Sequence, residues 1–145
     1  MAQQPWQVAA TYLGTKFRHR GRSRWSLDCS GLLVVTGKEL GHDVIDLKVY
    51  GREPYKDGLR QLLRQNVGDP VQVAPDIDIH DIQPNDILLM CHGQNEPSHL
   101  AIAYPHKHGV GIVHTYAEMG RVVMHRLDET WLAKVVEVYQ WPAKS

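Results

Sequence analysis

The spacing of apolar residues changes partway along this 145-residue chain. In "PWQVAATYLG", Trp6, Val8, Ala9, Tyr12 and Leu13 recur at helical intervals, with Pro5 near the start and Gly14 as a stop signal. "CSGLLVVTGKELG" predicts a second helix, running from Cys29 to Gly41. Asp57 can cap a third, in which Leu59, Leu62 and Leu63 share one face. The basic stretch between the first two, "TKFRHRGRSRWS", reads as a loop. From Gln83 onward the pattern is different. "QPNDILLMC" is a turn followed by a strand, and "SHLAIAYP", "VGIVHTYA" and "RVVMHRLD" are short β-branched and aromatic runs. "DETWLAKV" is a short capped helix, and "VVEVYQW" a closing strand that Pro142 ends. Helices first and an antiparallel meander second predict an α+β fold, with the helices packed on one face of the sheet. No repeat or low-complexity segment interrupts residues 1–145, so one domain is expected.

Sixteen basic and sixteen acidic residues balance, with no block of one sign, which argues against a nucleic acid or an anionic membrane as partner. No apolar stretch is long enough to span a bilayer, and the start "MAQQPWQVAATYLG" lacks the features of a secretion signal. Two cysteines, Cys29 and Cys91, do not make a disulfide framework. Nine histidines raise the question of zinc, but there is no HExxH spacing and no CxxC pair, so neither metal nor organic cofactor is expected.

Cys29 stands between Asp28 and Ser30, directly before Gly31 and an apolar run. Taken alone, a cysteine before an apolar run is more often a core residue than a nucleophile. A histidine such as His114 in an apolar strand is more often a half-buried packing residue. A nucleophilic cysteine attacks as the thiolate and needs positive potential and a base. A helix beginning at Cys29 supplies the potential, and its outward N–H groups can hold an oxyanion. The base should be a histidine supplied by the fold, and His99, which opens the strand "HLAIAY", suits that role. There its side chain would project toward a helix packed on the sheet. His114 in "IVHTY" lies on the next strand, where a hairpin turning at "HKHG" could set it beside His99 and orient the imidazole. These groups are expected to depress the Cys29 pKa. Cys91, at the end of an apolar strand, reads as buried and inert. His42, His80, His92 and His125 have no partner logic and read as surface or packing residues, as does His19 on the same grounds.

These residues resemble the NlpC/P60 cysteine peptidases. That family's D-C-S-G motif is matched by Asp28, Cys29, Ser30 and Gly31, its base in H-[VLA]-[GA]-[IV] by "HLAI", and its third polar residue by His114 in "IVHTY". "QPNDILLM" is similar to the family turn "xPGDLxxF", with Asn85 where glycine is usual, and "LGTKFRHRG" to its approach segment. The stretches "YGREPYKDGL" and "HRLDETWLAKVVEVYQWP" further resemble stand-alone versions from tailed phages and gene-transfer agents.

The resemblance implies a papain-like fold and a cysteine endopeptidase, with Cys29, His99 and His114 catalytic, acting on the stem peptides of bacterial peptidoglycan. It implies a place in the virion tail tip, beside other tail proteins, for a chain made in the host cytoplasm. Asp28, Ser30, Phe17 and Arg18 are the residues expected around the substrate. Phe17 occupies the position of a family tyrosine whose hydroxyl serves the oxyanion hole, leaving the Cys29 N–H and a second donor such as Arg18 or His19. His99 and His114 are also a few residues further apart than is usual, a difference that the loop "PHKHG" could absorb. Two other readings remain open: an amidase, transpeptidase or thioesterase using the same pair, and a non-enzymatic tail assembly protein that retains the motif.

Overall fold

The computed structural model describes residues 3–46, 58–91 and 97–142. Among these residues are eight strands and four α-helices: α1 (Pro5–Ala10), α2 (Cys29–Glu39), α3 (Leu59–Val67) and α4 (Glu129–Leu132). The eight strands are β1 (Lys16–Phe17), β2 (Ser26–Leu27), β3 (Gln72–Val73), β4 (Ile87–Met90), β5 (His99–His106), β6 (Gly109–Tyr116), β7 (Arg121–Arg126) and β8 (Val135–Tyr139). They form one sheet in the order β2-β1-β7-β6-β5-β4-β8-β3, antiparallel except for the short β1–β2 pair. This is a papain-like α+β architecture: a helix that begins at a cysteine, packed on an antiparallel sheet that carries histidine.

Helix α2 is the centre of the packing. Every residue from Ser30 to Gly37 is buried, as an all-round apolar helix requires. Leu32 and Val35 meet Ile102, Val113 and Val122 of the sheet, while Leu33 joins Leu59, Leu62 and Leu63 of α3 against Leu89 and Leu100. The opposite face of the sheet buries Leu88, Met90, Ala101, Ala103 and Ile112, covered by Ile82 and Leu127 with Trp131 and Leu132 packed alongside. Strand β4 contributes to both faces, which is why "ILLM" is a continuous apolar run rather than an alternating one.

Several expectations need correction. The stretch read as a loop after α1 contains the two-residue strands β1 and β2, too short to leave a periodic signal. Helix α1 ends at Ala10, short of Gly14. Asp57 lies outside the described residues, as do His92 and most of "YGREPYKDGL"; α3 has Gly58 as its N-cap, with no side-chain cap. The extra length between His99 and His114 is not a longer loop. It lengthens the hairpin itself, with Pro105 opposite Val110 and His106 opposite Gly109, and the turn is only Lys107 and His108. Cys91 lies just past β4 and is half-buried rather than fully buried.

Asn85 has φ of 82°, the left-handed region that glycine and asparagine tolerate best. Here asparagine also does what glycine cannot. Its Oδ1 accepts the Trp6 N–H at 2.9 Å and its amide donates to Gln4 Oε1 at 3.1 Å, tying the start of α1 to the turn before β4.

Candidate active site

Asp28 caps α2 and thereby fixes Cys29. Its Oδ1 accepts the Gly31 N–H at 2.7 Å, the Arg22 guanidinium at 2.8 Å and the Ser30 hydroxyl at 3.0 Å, and its Oδ2 accepts the Arg20 N–H at 3.0 Å. Arg22 also reaches Ser30 Oγ at 3.2 Å and pairs with Asp46 at 2.9 Å. Asp28 borders the pocket described below, but its oxygens are committed to this cap, and Ser30 is fully buried. Both therefore hold the helix start in place. Gly31 is needed for the same reason: a Cβ there would strike the carbonyl oxygen of Gly21.

Cys29 opens onto a pocket of about 330 Å³ lined by Phe17, His19, Ser98, His99, Tyr116 and Glu118, among others. Its Sγ lies 3.9 Å from the carbonyl oxygen of Ser98, the residue before His99. Phe17 and His19 are on the pocket wall. Arg18, between them and just past β1, is exposed and outside it.

The thiol is not depressed as expected. Burial, and then the negative charge of Asp28, push it up to about 12; the backbone amides of Leu100 and Ser30 and the Arg22 charge oppose this without overcoming it. The resting sulfur is thus protonated, and a nucleophile must be generated by handing its proton to a base.

His99 is 5% exposed and His114 is fully buried. His99 does not project toward α2, which packs on the face formed by Leu100 and Ile102. It sits on the opposite face and meets Cys29 at the end of the sheet, where both border the pocket. His99 Nε2 and His114 Nδ1 are 2.6 Å apart. With Nε2 so engaged, Nδ1 is the ring nitrogen that can serve the thiol.

The reading of His125 as a surface or packing residue without a partner is corrected by the structure. The His125 Nε2 is 2.8 Å from His114 Nε2, and its Nδ1 is 2.9 Å from the Arg126 carbonyl oxygen. The strand registers explain the arrangement. His114 is opposite Val123, and Ile112 is opposite His125, so the two histidines are diagonal neighbours on one face of the sheet. Continuing the Ile102–Val113 register places His99 on the same diagonal. Alternation in "RVVMHR" puts Val123 and His125 on one face, and that was the available signal. Trp131, held by the Asp128 cap of α4, lies against this row, with ring centroids 5.0 Å from His114 and 5.2 Å from His125. The three imidazoles bond to one another in series, so their nitrogens do not converge on a common point as metal ligands would.

These features define a class, a papain-like domain with a cysteine at the first turn of a helix and a strand-borne histidine. No protein-family model and no curated protein matches the chain. Among solved structures it is similar to an NlpC/P60 family protein from Bacillus cereus ATCC 10987, with TM-score 0.67 and 17% identity over 97% of this chain and 40% of that one. It is similar to NlpC1 from Trichomonas vaginalis, with TM-score 0.66 and 15% identity over 97% and 44%. The NlpC/p60 domain of the peptidoglycan hydrolase SagA matches with TM-score 0.57 and 17% identity over 94% and 95%. The chain thus spans less than half the length of the first two and nearly all of the SagA domain. The particular fold is that of the NlpC/P60 proteins.

Proposed function

We propose that the chain is an NlpC/P60 cysteine peptidase that hydrolyses peptide bonds in bacterial peptidoglycan. The observation that carries this reading is the placement of Cys29 and His99 on one pocket, with His99 backed by His114. The fold shared with a peptidoglycan hydrolase domain supports the substrate class.

His99 Nδ1 takes the Cys29 proton as the sulfur attacks the peptide carbonyl carbon. The carbonyl oxygen becomes an oxyanion, held by the Cys29 N–H at the start of α2 and by a second donor for which His19 is better placed than Arg18. As the C–N bond breaks, His99 returns its proton to the departing amine, leaving a thioester on Cys29. Water, deprotonated by His99, attacks that thioester, releases the carboxylic acid and restores the thiol. No step requires a metal or organic cofactor.

The finer assignment is to a phage tail tip, where the enzyme would open the wall locally among other tail proteins. The segments "YGREPYKDGL" and "HRLDETWLAKVVEVYQWP" support it. Phe17 and the raised thiol favour a slow enzyme, or a tail protein without turnover, as the second reading. The test is incubation with purified cell walls, scoring new amino groups and new reducing ends separately. Release of amino groups alone by wild type, and their loss in Cys29→Ala, is the expected result. Reducing ends would mean glycan cleavage and overturn the proposal.

A further inference from the structure

The histidine row ends on a backbone carbonyl, and a carbonyl can only accept. The Arg126 oxygen therefore requires a proton on His125 Nδ1. In the neutral imidazole, His125 Nε2 is then a lone pair. It faces His114 Nε2 at 2.8 Å, so that nitrogen carries the His114 proton. His114 Nδ1 is in turn a lone pair, and His99 Nε2, at 2.6 Å, must carry the proton of His99. What remains on His99 is a lone pair at Nδ1, the state a base facing a protonated thiol must have. One backbone carbonyl thus dictates the protonation of three rings in sequence.

We infer that His125 is a positioning residue that sets the tautomer of His99 through His114. The catalytic consequence rests on reading Cys29 and His99 as the reacting pair; the tautomer chain itself does not. His114 alone could not impose this direction. It is buried, and both its ring nitrogens meet other imidazoles, each of which can donate or accept. Trp131 and Tyr116 lie against His114, with centroids 5.0 and 5.4 Å away, and keep water from competing for its nitrogens. The sheet supplies the rest, since three adjacent strands hold the three rings on one diagonal.

Long-range proton–nitrogen correlation of nitrogen-15 histidine, in mildly alkaline buffer, reads each tautomer directly. In the wild type His99 and His114 should be Nε2–H and His125 should be Nδ1–H. His125→Leu removes the terminal acceptor. The Nε2–H signal of His99 should weaken toward a mixture, and turnover should fall about 10–100-fold, the usual effect of losing such an outer partner, with KM little changed. His125→Gln returns an acceptor near the Nε2 position and should recover most of both. If the wild type shows no peptidase turnover, the functional reading fails while the tautomer result still stands or falls by its own spectrum. If His125→Leu does not fold, the wild-type and His125→Gln spectra decide. A wild-type His99 in the Nδ1–H form, or an unchanged His99 spectrum in a folded His125→Leu, overturns the inference.

Discussion

His99 Nε2 and His114 Nδ1 face each other at 2.6 Å across neighbouring strands β5 and β6, on the face of the sheet turned away from α2. The contact leaves His99 one nitrogen for the pocket and gives its ring one orientation. Truncating His114 would strand a buried N–H and let that ring turn. His114→Ala should lower turnover about 10²–10⁴-fold, within the range for losing the group that orients a catalytic histidine. His114→Asn, which keeps an acceptor near Nδ1, should lose less. Steady-state rates of the two variants check the order, and equal losses would mean that orientation is set elsewhere.

The thiol makes a second test. Burial and Asp28 hold Cys29 up at about 12, so it is protonated in neutral solution. Its alkylation by iodoacetamide should accelerate steadily as pH rises past the ordinary thiol value of about 8.5. A plateau already reached near neutrality would instead reveal a standing thiolate–imidazolium pair. Mapping the label by mass spectrometry separates Cys29 from the half-buried Cys91.

Phe17 lies on the pocket wall with Cys29, where the family this chain resembles carries a tyrosine hydroxyl at the oxyanion hole, so Phe17→Tyr would add a further donor beside the Cys29 amide and His19. Single oxyanion donors are worth about 10²–10³ in rate. A gain of at least tenfold in single-turnover acylation, with substrate binding unchanged, is the expected outcome. No gain would mean that His19 or a backbone amide already completes the hole.

Gly31 is set against the carbonyl of Gly21, and an added methyl has nowhere to go because both partners are backbone. Gly31→Ala should cost about 2–3 kcal/mol of stability, as overpacking of a rigid site does. Thermal melts measure it; a melting temperature within a degree of wild type would show that the loop carrying Gly21 yields easily.

Glu137 is buried, which opposes its charge, but the Tyr139 hydroxyl at 2.7 Å, Arg60 at 2.9 Å and Arg64 at 3.6 Å prevail and lower its pKa. A lowered carboxylate pKa stabilises the fold fully above the ordinary value of 4.5, and that contribution disappears as pH falls through the folded value. Arg60 is 46% exposed, so the gain is modest, on the order of 1 kcal/mol. Denaturant titrations should show wild type more stable than Glu137→Gln at neutral pH, with the gap closing below pH 4.5. A gap that widens in acid would contradict the assigned direction.

What could be read from residues alone was whatever local chemistry dictates. The helix at Cys29 follows from the apolar run up to Gly41, whereas the cap role of Asp28, expected near the substrate, and the contact of Gly31 with the Gly21 carbonyl depend on how the preceding loop packs. His99 and His114 were legible because each stands in a short motif on a strand. His125 was not, since its meaning depends on the register of β7 against β6, which no local pattern encodes. The direction of the Cys29 shift was missed for a related reason. Helix start and neighbouring histidine are visible in sequence, whereas burial of the sulfur is a property of how α2 seats on the sheet. Strands β1 and β2, of two residues each, exist through pairing and not through propensity.

The central claim is that the Cys29 sulfur opens a stem-peptide bond with His99 as its base. Digestion of one purified muropeptide by wild type, Cys29→Ala and His99→Ala, with products weighed by mass spectrometry, tests it most directly. The account predicts two fragments whose masses sum to the muropeptide plus one water, formed by wild type and by neither variant. An intact muropeptide after prolonged incubation with wild type, or equal cleavage by Cys29→Ala, would contradict it.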